Sequence, residues 1–261
     1  MPVSEEEKEN IAISLYEAFD SSVPIDRPTG EYNLSIADAY DIQSRFVDHR
    51  ISDGATVVGH KIGLTSEGIQ NQLDVDEPDY GRLLDTMYIV DGTIPMEDLI
   101  QPRIEPEIGF LMERDLTPPV TQTDVLAATR SVIPVLEIID SRIREWDINI
   151  QDTIADNASS ALYVTGDATT SVDGIDLSLE GLKIHRNGEL AGSGAGAAVL
   201  NHPARAVAWL ANKLEGYDQR IKAGQLVLSG SITPAVGLHP GATITAEFAS
   251  LGTITIEASD K

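Results

Sequence analysis

The chain has 261 residues, 42% of them apolar, and no cysteine. That is enough for one large packed domain, and it excludes disulfides, thiolate chemistry and global disorder. Asp and Glu number 42 against 18 Lys and Arg, a net charge of -24, which is the wrong sign for gripping a phosphate backbone and so excludes nucleic acid as a partner.

The acids are dispersed along the chain, and the basic residues include only 6 lysines. This pattern fits a halophilic protein, whose self-repulsion is screened by high salt; a merely acidic cytoplasmic protein is the alternative. The N-terminus, MPVSEEEKENIAISLYEAF, lacks the basic start and apolar stretch of a signal peptide, and no run of about 18 apolar residues occurs. A cytoplasmic chain without a membrane span is expected. Residues 5–20 predict a helix, with Ile11, Leu15, Ala18 and Phe19 at helical spacing. A Pro/Gly-rich link, VPIDRPTGEYN, follows. Ser35, with Asp38 three residues on, predicts the capping box of a second helix. Its apolar stripe is Ile36, Ala39, Tyr40, Phe46, Val47 and Ile51, with Gln43 as a gap.

TVVGHKIGLT (56–65) predicts a strand ending in a glycine-punctuated turn, SEGIQNQL a short helix, and DEPDYGRL a loop. Further strands are predicted at 86–90, 104–112, 132–139, 160–165, 181–187, 225–229, 242–248 and 252–257. Helices interrupt them near 122–131 and at 202–215, where Pro203 suits a first turn. The expected architecture is α+β: a helical N-terminal portion (1–55), then a mostly antiparallel or mixed β core (56–261).

RIEPEIGFLM places Glu105 and Glu107 two apart in an apolar strand, hence on one face, with Ile104 and Ile108 on the other. Pro106 between them suggests an edge, a strand start or a bulge. Glu137, in VIPVLEIID, is a third acid in a still more apolar strand. Such a set suits a hard divalent cation, Mg²⁺ or Mn²⁺ rather than a thiolate-bound zinc. Pairing with Arg103 and Arg142, or exposure, are the other readings. Lys61 in GHKIGLT is a candidate proton donor or oxyanion partner whose pKa burial would lower, and Gly59 and Gly63 would admit a ligand close to the backbone. His60 would point the opposite way. Asp79 in EPDYG is either a general base or simple turn chemistry. Asn157, Ser159 and Ser160 offer hydrogen bonds before an apolar strand. GSGAGAA (192–198) lacks the spacing of a dinucleotide loop, and GSIT (230–233) is not a nucleophile elbow.

Taken together, GHKIGLTS, EPDYGRLL, QPRIEPEIGFLM, PVLEIIDSRI, DTIADNASS, NHPARAVAWLANKL and LSGSIT resemble the 2-oxopent-4-enoate hydratase / 4-oxalocrotonate decarboxylase family of the fumarylacetoacetase-like superfamily. The resemblance runs from about residue 35 to the C-terminus. It implies a distorted β-roll core and Mg²⁺ or Mn²⁺ held by Glu105, Glu107 and Glu137. It implies Lys61 and Asp79 as catalytic groups, and Gly63, Leu64, Ser160 and Thr233 as substrate-binding positions. The implied substrates are small 2-oxo or 2-hydroxydienoic acids from aromatic meta-cleavage catabolism. SRIREWDINIQDTIADNAS resembles the pentenoate hydratases. HKIGLTS, EPDYG and NHPARAVAWLANKL look more like hydratases of the seven-carbon 2-oxo-hept-3-ene-dioate, and GAGAAVL more like the decarboxylases. A hydratase is favoured, with Arg82 and Arg144 as candidate partners for a second substrate carboxylate. An acylpyruvate-type C–C hydrolase and a non-catalytic metal-binding protein are remoter alternatives. A homo-oligomer, and a complex between hydratase and decarboxylase, are also implied by the resemblance.

Overall fold

The computed structural model describes residues 3–66, 68, 70 and 75–260; the helix expected over SEGIQNQL lies largely outside the described residues. The chain begins with a hairpin of two helices, α1 (Glu5–Ser21) and α2 (Ile36–Ser52), each opened by a capping box, Ser4 with Glu7 and Ser35 with Asp38. Three glutamates in the first turn of α1 complement its positive end. Lys8 and Arg45 sit among acids of both helices: Lys8 Nζ lies 2.9 Å from Asp41, and Arg45 Nη1 3.1 Å from Glu9.

Ala39, Tyr40, Phe46 and Val47 are buried as the periodicity predicts, but Ile51 is exposed and Ile42 takes its place in the core. Gln43 is no gap. It is buried, and its amide donates to the carbonyls of Tyr80 (2.8 Å) and Ile154 (2.9 Å), which ties α2 both to a strand and to the short helix Ile150–Ala155.

The remaining chain forms two curled sheets. The larger runs β2 (Asp79–Leu84), β1 (Val57–Gly63), β9 (Leu226–Ser231), β4 (Arg103–Met112), β5 (Thr129–Ile139) and β6 (Ser160–Thr165), with β10 (Val236–Gly237) added beside β4. Among the described residues only β1 and β9 pair parallel in it. The smaller runs β3 (Thr93–Ile94), β12 (Gly252–Ala258), β11 (Thr243–Phe248), β7 (Gly181–Arg186) and β8 (Glu189–Ala195). Helices α3 (Gln122–Ala128), α4 (Ile150–Ala155) and α5 (Pro203–Glu215) lie between strands. The α5 start follows its sequence signal: the His202 ring accepts from Ala204 N, and Pro203 needs no amide partner. The α+β expectation with a mixed β core therefore holds.

Local expectations fail where tertiary pairing decides. DEPDYGRL is not a loop: Asp79–Leu84 is a fully buried strand, held antiparallel to β1. The strand expected at 86–90 is a 3₁₀ turn, Asp85–Met87, followed by a single bridge from Tyr88 to Tyr163. The Asp85 carboxylate accepts from Thr56 N and Thr86 N there, satisfying amides a strand would have paired. Part of GSGAGAA belongs to β8, a glycine-rich edge strand that propensity did not reveal. The helix expected over 122–131 stops at Ala128, because Thr129 begins β5.

Candidate active site

Strand β4 is central rather than an edge, and Pro106 sits where its neighbour changes from β10 to β9. Glu105 stands directly opposite Glu137 in the β4–β5 ladder, and Glu107 follows on the same face. One oxygen of each of the three carboxylates lies within 4.8 Å of the others. Glu107 and Glu137 are completely buried; Glu105 is partly open. The sequence-derived trio is thus brought together.

The neighbouring strand supplies one fixed contact. Between the pairs Glu107–Ser231 and Gly109–Leu228, β9 carries one extra residue, a bulge that re-aims its backbone. Gly230 lies in it with φ +109°, and its N–H donates to Glu107 Oε2 at 2.7 Å. A Cβ there would stand 2.3 Å from the Thr65 hydroxyl, so glycine is required twice over. On the far side, Ser160 Oγ donates to Glu137 Oε1 at 2.8 Å. The remaining oxygens, Glu107 Oε1 and Glu137 Oε2, are buried without a hydrogen-bond partner. Unbonded oxygens on Glu107 and Glu137, converging with the Glu105 carboxylate, fit a hard, oxygen-preferring cation.

Lys61 reaches this group from β1. Its Nζ lies 3.4 Å from Glu137 Oε2 and donates to the Ala158 carbonyl at 3.2 Å. Asp79 pairs with Gly63 across β1–β2, and a Cβ on Gly63 would stand 2.2 Å from Asp79 Oδ1 and 3.5 Å from Lys61 Nζ. Gly63 therefore leaves the room that both the amine and the carboxylate border. Both oxygens of Asp79 are buried without a hydrogen-bond partner. Asp79 lies in a buried strand, not in the loop the sequence suggested.

The electrostatics follow from crowding. Burial, reinforced by Glu137 and opposed by Lys61, raises Asp79 to about 6. Burial likewise raises Glu105 to about 7, and burial with the Glu137 charge raises Glu107 well above the ordinary carboxylate range. Burial presses Lys61 down, but Glu137, Glu105, Asp79 and Glu107 outweigh it and hold the amine above its ordinary value. This reverses the expectation that burial lowers the Lys61 pKa.

Other candidates fall elsewhere. Arg142 is bound to Asp156, and the Arg103 guanidinium stacks on Trp146 at 4.3 Å, so neither neutralises the glutamates by direct pairing. His60 points away from Lys61 as expected; burial and Arg82 push it down to about 3, leaving it neutral. Arg82 shares that opposite face and donates to Ser44 on α2 at 3.0 Å, while Arg144 lies at the surface beside Asp26. The second-carboxylate role expected of this pair finds no support in their positions. Asn157 and Ser159 bond within the protein, to Arg82 and Asp156, rather than offering themselves to a ligand. Leu64 follows β1 in a left-handed conformation (φ 56°). The buried Thr233 turns its hydroxyl to the Pro234 carbonyl at 3.2 Å. Sequence reasoning missed the two backbone groups that complete the site, Gly230 N–H and Ala158 C=O; the glycine in LSGSIT was the one available signal for the first.

A curled α+β fold carrying three acids on paired strands, with a buried lysine and aspartate above them, defines a candidate cation-dependent enzyme. The chain belongs to the fumarylacetoacetate (FAA) hydrolase C-terminal family, which it matches over residues 61–257. It is 45% identical to the 2-keto-4-pentenoate hydratase of Paraburkholderia xenovorans (strain LB400), over 97% of this chain and 95% of the relative. It is 50% identical to a 2-hydroxypent-2,4-dienoate hydratase of Pseudomonas putida, over 70% of this chain and 84% of the relative. Among solved structures it matches 4-oxalocrotonate decarboxylase from Pseudomonas putida G7, complexed with magnesium and adipate, with a TM-score of 0.95, 36% identity and 98% of both chains covered.

Proposed function

We propose that this chain is a hydro-lyase that uses a divalent metal, Mg²⁺ or Mn²⁺, to convert 2-hydroxypenta-2,4-dienoate to 4-hydroxy-2-oxopentanoate in aromatic meta-cleavage catabolism. The observation that carries the proposal is the convergence of three carboxylates, two of them with unbonded buried oxygens, with buried Lys61, paired to Glu137, and buried Asp79. The hydratase relatives support the choice of reaction. Glu105, Glu107 and Glu137 hold the cation. When bound, it supplies a Lewis acid for the substrate carboxylate and 2-oxygen and stabilises negative charge on that oxygen.

The chain's own residues handle the protons. Conversion adds one water: the 2-hydroxyl loses its proton, C5 and C3 each gain one, and hydroxide is added at C4. Lys61, kept protonated by the surrounding acids, donates toward the carbon chain. Asp79, with two free oxygens, orients the attacking water and accepts its proton. Ser160 holds Glu137 in place, and Gly63, Leu64 and Thr233 shape the substrate side. The five-carbon monocarboxylate is favoured over a dicarboxylate because Arg82 and Arg144 both lie away from the site. In this proposal residues 56–261 carry every site group, and the helical portion 1–55 braces them. Cytoplasmic location, homo-oligomerisation, association with a partner decarboxylase and adaptation of the acidic surface to high salt belong to the same proposal.

The test is a spectroscopic assay in high salt with Mg²⁺ or Mn²⁺, supplying 2-hydroxypenta-2,4-dienoate and 4-oxalocrotonate separately. Metal-dependent consumption of the dienoate without CO₂ is expected. CO₂ from 4-oxalocrotonate alone would replace the hydratase by a decarboxylase, the second reading, which the decarboxylase structural match supports. Two carbon fragments from an acylpyruvate would instead indicate a C–C hydrolase.

A further inference from the structure

We propose that Asn157 and Gly81 are positioning residues that hold the Lys61 amine over the site through the Ala158 carbonyl. This rests on the hydratase proposal and extends it to residues that touch neither cation nor substrate. Asn157, Ala158 and Ser159 are three successive non-glycine residues in the left-handed region, with φ of 53°, 51° and 53°. Such a run is strained, and it persists only where surrounding contacts over-determine it.

Those contacts are specific. Asn157 Oδ1 accepts from Arg82 N at 2.8 Å, and its Nδ2 donates to Arg82 O at 3.0 Å. Both backbone groups of one β2 residue are thereby clamped by one side chain. Gly81 pairs with Lys61 across β1–β2, so its missing side chain lies on the lysine's own face. A Cβ there would stand 2.4 Å from the Asn157 carbonyl oxygen. Gly81 is thus the gap into which the turn settles, and its φ is not one that demands glycine. From that seat the next carbonyl, Ala158 O, receives the Lys61 ammonium at 3.2 Å.

The consequence concerns geometry. Lys61 has two anchors, the Glu137 carboxylate and the Ala158 carbonyl. Glu137 is also a cation ligand in the proposed site. The neutral carbonyl is then the anchor whose position owes nothing to the cation. Without it the ammonium would collapse onto Asp79 or Glu137 and leave the substrate.

The experiment compares wild type with Asn157→Gly, which keeps the left-handed backbone without the clamp, and Gly81→Ala, whose Cβ would crowd the turn chiefly at the Asn157 carbonyl and would stand 3.1 Å from its Oδ1. Mn²⁺ affinity is measured by titration calorimetry. Dienoate hydration gives kcat and KM, and exchange of the C3 protons of 2-oxopentanoate into D₂O is followed by NMR. The expected result is Mn²⁺ affinity and KM within about twofold of wild type, with kcat and the exchange rate both lower by roughly tenfold or more. Wild-type rates in a folded variant would overturn the inference. Parallel loss of Mn²⁺ affinity and kcat would also overturn it, by making the turn a general support. Should wild type fail to hydrate the dienoate, the hydratase proposal falls, while the exchange rates still decide the role of the turn.

Discussion

Two buried charged groups lie side by side in this protein and are finished differently. Arg142 and Asp156 form an ion pair whose atoms are used up: Arg142 also donates to the Asp140 carbonyl (2.6 Å) and the Ser160 carbonyl (3.1 Å), and Asp156 also accepts from Ser159 Oγ (3.1 Å) and Arg142 N (3.2 Å). The Glu105–Glu107–Glu137 group, with Asp79, leaves buried oxygens unpaired. Burial nevertheless outweighs Arg142 and raises Asp156 to about 6, so even a complete pair carries a desolvation cost. The difference teaches where function lies. A satisfied buried pair fixes the chain between β5 and β6, while an unsatisfied one marks a candidate site.

The largest expected effect follows from removing the unsatisfied oxygens. Glu107→Gln or Glu105→Ala is predicted to abolish Mn²⁺ binding and lower hydratase activity on the order of 10³-fold or more. Full turnover in the presence of a chelator would break the comparison at its root. Lys61→Met comes next: kcat should fall by about 10²–10⁴-fold, yet Mn²⁺ should bind at least as tightly, because a competing positive charge has gone. Calorimetry that showed metal lost with the lysine would merge the two roles kept apart here.

Changes to the satisfied pair should be read in stability rather than chemistry. Asp156→Ala strands a buried guanidinium and should cost about 3–5 kcal/mol of folding stability by denaturant titration, with Mn²⁺ stoichiometry retained in the folded fraction. A variant as stable as wild type would show that the pair fixes nothing. Ser160→Ala tests the boundary between the two groups, since this residue bonds Glu137 through its side chain and Arg142 through its carbonyl. Only the first bond is lost, so Mn²⁺ affinity is predicted to weaken by about 10–100-fold.

The parts of this arrangement legible in the sequence are those set by local periodicity and end chemistry. Glu105 and Glu107 share a face because strands repeat every second residue, and Ser35 with Asp38, and Pro203, announce helix starts. What stayed hidden depends on pairing between distant segments. Glu105 faces Glu137 only through the β4–β5 register. Asp79 is a buried strand residue because β1 recruits a segment whose Pro78 and Gly81 read as a turn. Which side of β2 Arg82 takes follows from that same pairing, and so the sequence offered it as a substrate partner. The Lys61 pKa went the wrong way because its four acidic neighbours come from three separate strands.

The smallest effect is a coupling of pH, metal and stability. Without metal, Glu105 and Asp79 have folded-state pKa values of about 7 and about 6, above the ordinary carboxylate range, because of burial. An acid whose pKa is raised on folding binds more protons folded than unfolded. Its contribution is therefore favourable at low pH and is lost as pH rises from the unfolded value near 4 through the folded one. Through these two acids the metal-free protein should lose stability between about pH 4 and 7. A divalent cation binds the ionised acids and competes with protons, so its stabilisation should run the other way. Thermal melts with and without Mn²⁺ are predicted to differ by several degrees at pH 8 and by much less at pH 5. Equal shifts at both pH values would mean that the cation binds somewhere other than this acid group, and Glu107→Gln, melted beside wild type, should erase the pH 8 shift.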